Sequence, residues 1–156
     1  MSGIWHRQTA RVLPVDDEGR VLLLHGWDPR RPDDPFWFTI GGAIEHGETM
    51  PEAGARELRE EAGIVVEPAR LGEPIEVSTI EFSWAGMDFV QGQTFFAVAV
   101  AGSPVSFAEQ DPLERATIDK HGWLRPEELE GDGERPADPD IPRLMRAAIA
   151  AVRDRR

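Results

Sequence analysis

The sequence predicts an α/β (α+β) fold, one sheet packed by two helices, and three observations lead there. Short β-rich runs interleave with two amphipathic segments along the chain. The 156 residues suit one core, hence a single domain over residues 1–156. Apolar residues make up 40% and charged residues 29%, the balance of a globular chain rather than a disordered one.

The elements follow in order. Arg11 to Val15 and Val21 to His25 flank the polar run Asp16-Asp17-Glu18-Gly19 and read as a hairpin. His25 to Pro35 carries three prolines among Asp, Arg and Gly and reads as a long loop. Phe36 to Ile40 is a short aromatic strand that stops at Gly41-Gly42. Thr49 to Ala62 has helical spacing, with Thr49 and Glu52 placed as a capping box, Pro51 in the first turn and Gly63 as C-terminal cap. Two β-rich stretches, Ile75 to Trp84 and Met87 to Ala101, join around Ala85-Gly86, and a third lies near Trp123. Pro126 to Leu129 is a helical turn, and Glu130 to Asp140 reads as a solvated loop. The last segment aligns Ile141, Leu144, Met145, Ala148, Ile149 and Val152 on one helical face, with Asp140 as cap.

Charge and cysteine content narrow the function. Lys and Arg total 17 against 29 Asp and Glu, a formal net charge of -12. Such a surface repels nucleic-acid backbones and anionic membranes, so neither DNA nor membrane is an expected partner. A phosphate substrate would need local arginines or divalent cations. With no cysteine, disulfides, thiolate zinc sites and cysteine nucleophiles are excluded. No signal-peptide core or membrane-length apolar run is present, which makes a cytoplasmic protein the default expectation. A homodimer is left open.

The chemistry concentrates on the helix from Thr49 to Ala62. Glu57, Glu60 and Glu61 fall within roughly 100° of arc at helical spacing, opposite Ala55, Leu58 and Ala62, so the acidic face is expected to look away from the core. A solvated acidic face is the plain alternative, since like charges at this spacing cost only about 0.2–0.5 kcal/mol each. Glu61 also stands at the unfavourable end of the helix dipole, which favours a compensating cation. Three carboxylates facing a Gly-Gly turn suit Mg²⁺, which takes oxygen ligands and keeps several waters.

The spacing Gly42, five residues, Glu48, seven residues, then Arg56-Glu57-Leu58-Arg59-Glu60-Glu61-Ala62-Gly63-Ile64 matches the Nudix box at every fixed position. Seven fixed identities occur together by chance on the order of 10⁻⁸ times per start position. The chain therefore resembles the Nudix hydrolases, which implies a mixed β-sheet sandwiched between helices. The resemblance implies Mg²⁺-dependent (or Mn²⁺-dependent) hydrolysis of a pyrophosphate bond in a nucleoside diphosphate linked to another group. Glu57, Glu60 and Glu61, with the Gly41 carbonyl, match the metal ligands. Glu48 and Arg56 match the pair that orients them, and Glu60 or Glu61 would activate water. Glu45 is a further acid of the loop, with a plain surface role equally open. The family often adds a carboxylate before a late tryptophan; Glu114 is preferred to Glu109, Asp111 or Asp119, with His121 as the other candidate base. Two departures are Ile40 where proline is common and Gly54 inside the helix.

Substrate choice lies outside the box. The region Ser78 to Phe82 has neither the proline nor the tyrosine that resemble particular branches, so the substrate stays open. Trp27, Phe36, Trp37, Phe82, Trp84 and Phe89 are stacking candidates, and Arg7, Arg11, Arg30 and Arg31 are phosphate-clamp candidates. The loop from His25 to Pro35 is a candidate pocket wall. A nucleotide-sensing module without turnover is the alternative class; an intact box argues for the hydrolase. A prenyl-diphosphate isomerase would suit the metal but lacks the cysteine such relatives use.

Overall fold

The computed structural model describes residues 3–101, 105–106, 117–131 and 133–155. The strands are β1 (Ile4–Val15), β2 (Val21–Gly26), β3 (Phe36–Phe38), β4 (Ile40–Ala43), β5 (Glu76–Trp84), β6 (Met87–Ala99) and β7 (Ile118–Leu124). Among the described residues the helices are α1 (Met50–Ala62) and α2 (Ile141–Asp154), with 3₁₀ turns at Pro68–Leu71 and Pro126–Leu129. The sheet is mixed. β1 and β6 run parallel over their whole shared length, and among the described residues every other pairing between these strands is antiparallel, in the order β3-β2-β1-β6-β5 with β4 on β1 and β7 on β2.

Strand parity builds the two layers. On one face Ala10, Val12, Leu22, Leu24, Phe96 and Val98 pack with Ala53, Leu58 and Ala62 of α1. On the other, Leu13, Val15, Val21, Leu23, Phe95 and Ala97 pack with Ile141, Leu144, Met145, Ala148 and Val152 of α2. Both faces of each central strand are therefore buried, as expected of a sheet covered by helices on both sides. No described helix is long and apolar enough to cross a membrane.

Helix α1 starts and stops where its sequence dictates. The Thr49 hydroxyl accepts from the Glu52 N–H at 3.2 Å, the Glu52 carboxylate accepts from the Thr49 N–H at 2.9 Å, and Gly63 closes the helix in the left-handed region.

Five expectations are corrected. The strand expected over Phe36 to Ile40 is two, β3 and β4, and β4 continues through Gly41 and Gly42, paired with β1, instead of stopping there. The β1/β2 hairpin pairs only at Val15 and Val21, because β1 spends its edges on β6 and β4, and it begins seven residues earlier than expected, at Ile4. Asp140 makes no side-chain cap on α2; its carboxylate lies 3.4 Å from Arg143 instead. The segment read as a solvated loop is partly anchored: Trp37 N–H donates to the Arg135 carbonyl, and Ala137 N–H donates to the Trp37 carbonyl. The acidic face of α1 does not turn away from the protein: Glu57 and Glu61 are buried, at 7% and 3% exposure. They border β4, whose glycines leave room for them.

Candidate active site

The site forms where α1 meets β4. Gly42 is the reason the two approach so closely, since a Cβ there would sit 2.5 Å from Glu57 Oε1. Gly41, at φ +150°, passes so near β1 that a Cβ would overlap the Ala10 carbonyl. Its N–H donates to Glu61 Oε2 at 2.9 Å. This edge without side chains lets the carboxylates of α1 border a cleft that lies largely on the opposite face of the sheet.

Arg56 organises the acids. Its Nε donates to Glu48 Oε2 at 2.8 Å and its Nη2 to Glu48 Oε1 at 3.0 Å, a two-point fork. Its Nη1 reaches Glu57 Oε1 at 3.0 Å and Glu60 Oε2 at 3.1 Å, and Nη2 also donates to the Ala43 carbonyl. Glu48 Oε1 accepts in turn from the Glu45 N–H, which ties the loop to the helix. The hydrogen bonds from Arg56 hold the Glu48 carboxyl below its ordinary value, and Glu48 raises Arg56 further. Burial pushes Glu57 the other way, above the usual range, with Arg56 opposing and Glu60 adding to the rise. Glu45 is exposed, with Oε1 3.7 Å from Arg56 Nη1.

The donors here are hard oxygens: the carboxylates of Glu57, Glu60 and Glu61 and the Gly41 carbonyl. Glu57 is a buried acid whose charge burial disfavours, so a cation beside it would be stabilising. Among the described residues no three acidic or histidine side chains converge as a ready cage. The residues thus fit a divalent cation that keeps most of its water and takes one or two carboxylates.

The cleft has a volume of about 1150 Å³ and its border includes Glu57, Glu61, Arg56, Gly41 and Gly42. Its floor is one face of β5, β6 and β1, where Phe82 stacks on Phe89 at 5.1 Å and the Arg7 guanidinium lies 5.0 Å over Phe89. Arg11 also lines it, with Nε donating to Thr39 Oγ1 at 3.0 Å and Nη2 to the Thr39 carbonyl. Burial lowers the Arg7 value while Glu57 raises it, so the two charges sense each other across the site. Trp27, Asp28, Arg31 and Asp34 of the long loop form one wall. Its Asp28 Oδ1 accepts from the N–H of Ala85, at the tip of the β5/β6 hairpin.

Trp37 does not reach this cleft. It is 6% exposed within the α2-side core, tilted against His25 at 4.8 Å, while its neighbours Phe36 and Phe38 line the cleft. Alternation along β3 decides this, since Trp37 points to the face opposite its neighbours. Glu114, like Glu109 and Asp111, falls outside the described residues. Asp119 binds His25 Nδ1 at 2.6 Å, and neither Asp119 nor His121 lines the cleft. Burial lowers the His121 value. The sequence reading overlooked Gln91 and Gln93 on the floor. Their signal is a polar pair two residues apart, which puts both side chains on the same face of β6.

A family model for the NUDIX domain matches residues 5–147. The chain belongs to the NUDIX domain family. The Nudix chain is 39% identical over 71 residues to dihydroneopterin triphosphate diphosphatase of Escherichia coli (strain K12), covering 46% of this chain and 45% of that one. It thus spans less than half the length of that relative. It is 30% identical over 132 residues to nucleoside triphosphatase NudI of Salmonella newport (strain SL254), covering 79% and 86%. The solved E. coli dihydroneopterin triphosphate pyrophosphohydrolase superposes with a TM-score of 0.64 at 20% identity, over 96% of this chain and 100% of that one. That likeness shows the mixed sheet between two helices as the Nudix fold.

Proposed function

We propose that this chain is a pyrophosphohydrolase that cuts a phosphoanhydride bond in a nucleoside triphosphate or another nucleoside diphosphate derivative, using Mg²⁺ or Mn²⁺. The observation that carries the reading is the edge at Gly41 and Gly42, across which the buried acids Glu57 and Glu61 border an aromatic-floored cleft. The relatives named for a pterin triphosphate and for nucleoside triphosphates point to the same bond type.

Glu57, Glu60, Glu61 and the Gly41 carbonyl would hold the cation. Bound there, it supplies neutralisation of the phosphate oxygens and a lower pKa for water. Arg56 keeps Glu57 and Glu60 in position, and Glu48 keeps Arg56 in position through the two-point fork. Arg11, pre-oriented by Thr39, is placed to attract the polyphosphate, while Arg7 lies along the floor, stacked on Phe89. The proton released by the attacking water goes to a box carboxylate, Glu60 or Glu61, and Glu114 remains the proposed downstream contributor.

A panel of nucleoside triphosphates and nucleoside diphosphate derivatives, incubated with Mg²⁺ or Mn²⁺ and scored for phosphate-containing products, tests this. Turnover of at least one substrate, abolished by EDTA, is expected. Binding without turnover across the panel would make the protein a nucleotide sensor.

A further inference from the structure

Three side chains on the cleft floor form a relay whose direction is fixed at one end. Arg7 pairs in register with Gln91, and Gln93 lies two residues along β6, so all three project from one face of the sheet. Arginine only donates, so its Nε–H obliges Gln91 to present its amide oxygen. The Gln91 Nε2 then donates to Gln93 Oε1 at 3.2 Å. That bond fixes the orientation of the Gln93 amide, whose own Nε2 has no partner among the described residues. Gln93 is 7% exposed yet lines the cleft. Flipping the amides cannot reverse the relay, because Arg7 has no acceptor to give.

Both ends of the relay are therefore donors. Arg7 is stacked on Phe89, and its Nη groups have no hydrogen-bond acceptor among the described residues. The surrounding cleft supplies Phe36, Phe82 and Trp84, surfaces that suit the faces of a planar ring. We propose that the two donor ends of this relay read a bicyclic heterocycle with two adjacent acceptors, the oxo oxygen and ring nitrogen shared by 6-oxopurines and pterins. Adenine places an amino donor where that oxo group would stand, so it meets the floor donor to donor. The inference rests on the reading of the cleft as the nucleotide pocket.

The test is calorimetric titration of the full chain, with Mg²⁺, using GMP, IMP, AMP and 7,8-dihydroneopterin monophosphate. GMP and IMP should each bind about tenfold tighter than AMP, the lower part of the discrimination a two-point base contact supplies. IMP isolates the oxo edge because it lacks the exocyclic amine of guanine. Gln93→Glu, which turns the terminal donor into an acceptor, should abolish or invert the preference. Gln93→Met removes the donor at similar volume and should bring IMP and AMP to near equality, which keeps the test decisive if the glutamate variant misfolds. Tighter binding of the pterin than of GMP assigns the subsite to pterins, and the reverse assigns it to purines. Equal affinity of the wild type for IMP and AMP, absence of binding by both included, overturns the inference. So does a preference that survives in Gln93→Met. Monophosphate binding needs no turnover, so a chain that hydrolyses without discriminating loses this inference alone. One that discriminates without hydrolysing loses the hydrolase reading alone.

Discussion

Arg56 contacts Glu48, Glu57 and Glu60 at once, and its planar fork is what makes the Glu48 contact two-pointed. Arg56→Lys keeps the charge and loses the fork, so kcat should fall about 10–100-fold with little change in KM. A KM effect with kcat intact would assign Arg56 to substrate instead. Two of its partners respond oppositely to pH. The depressed Glu48 contributes stability above its unfolded pKa of about 4.3, and that stability is lost as pH falls through the folded value. Glu57 is raised, so its ionisation costs stability as pH climbs from the unfolded value through the folded one. In EDTA at pH 7, Glu48→Gln should therefore lower the melting temperature and Glu57→Gln should raise it. Both differences should shrink near pH 3.5. Gly42→Ala is the steric counterpart: a Cβ 2.5 Å from Glu57 Oε1 must displace that carboxylate, cutting turnover by about tenfold or more.

Helix α1 was the most legible element, because its box, capping pair and terminal Gly63 are all local signals. Gly54 is the part that propensity could not explain. A Cβ there would lie 2.9 Å from Leu71 Cδ1 and 3.1 Å from Val12 Cγ2, both fully buried. Gly54→Ala gains about 1 kcal/mol of helix propensity, yet overpacking costs typically about 1–3 kcal/mol. The net expectation is a lower melting temperature with the box chemistry unchanged, read by thermal unfolding beside a rate assay. What sequence hid is non-local. Strand pattern marks Trp37 and its flanking phenylalanines equally, and only the pairing of β3 with β2 decides which of them meets the cleft. The first half of β1 is polar enough to pass for a tail, and its parallel register with β6 connects residues far apart in the chain. His25 is held by Asp119 and Glu134, roughly a hundred residues away, contacts that no window along the chain reveals.

Across the whole molecule, two apolar cores cover opposite faces of the sheet, and no proposed metal ligand belongs to either. Removing divalent cations should therefore abolish turnover while shifting the melting temperature only modestly, in contrast to small domains that fold around their metal. The net charge of -12 bears on the proposed substrate: a polyphosphate would be attracted only where Arg11 and a bound cation outweigh the rest. We assign the proposed hydrolysis to the carboxylates beside Gly41 and Gly42. The most direct measurement is product release from an established nucleotide substrate with Mg²⁺, comparing wild type with Glu57→Gln and Glu61→Gln at matched folded fraction. Losses of about a hundredfold or more in both variants, with cooperative unfolding retained, are the expected result. Wild-type rates in both variants would remove these carboxylates from the reaction.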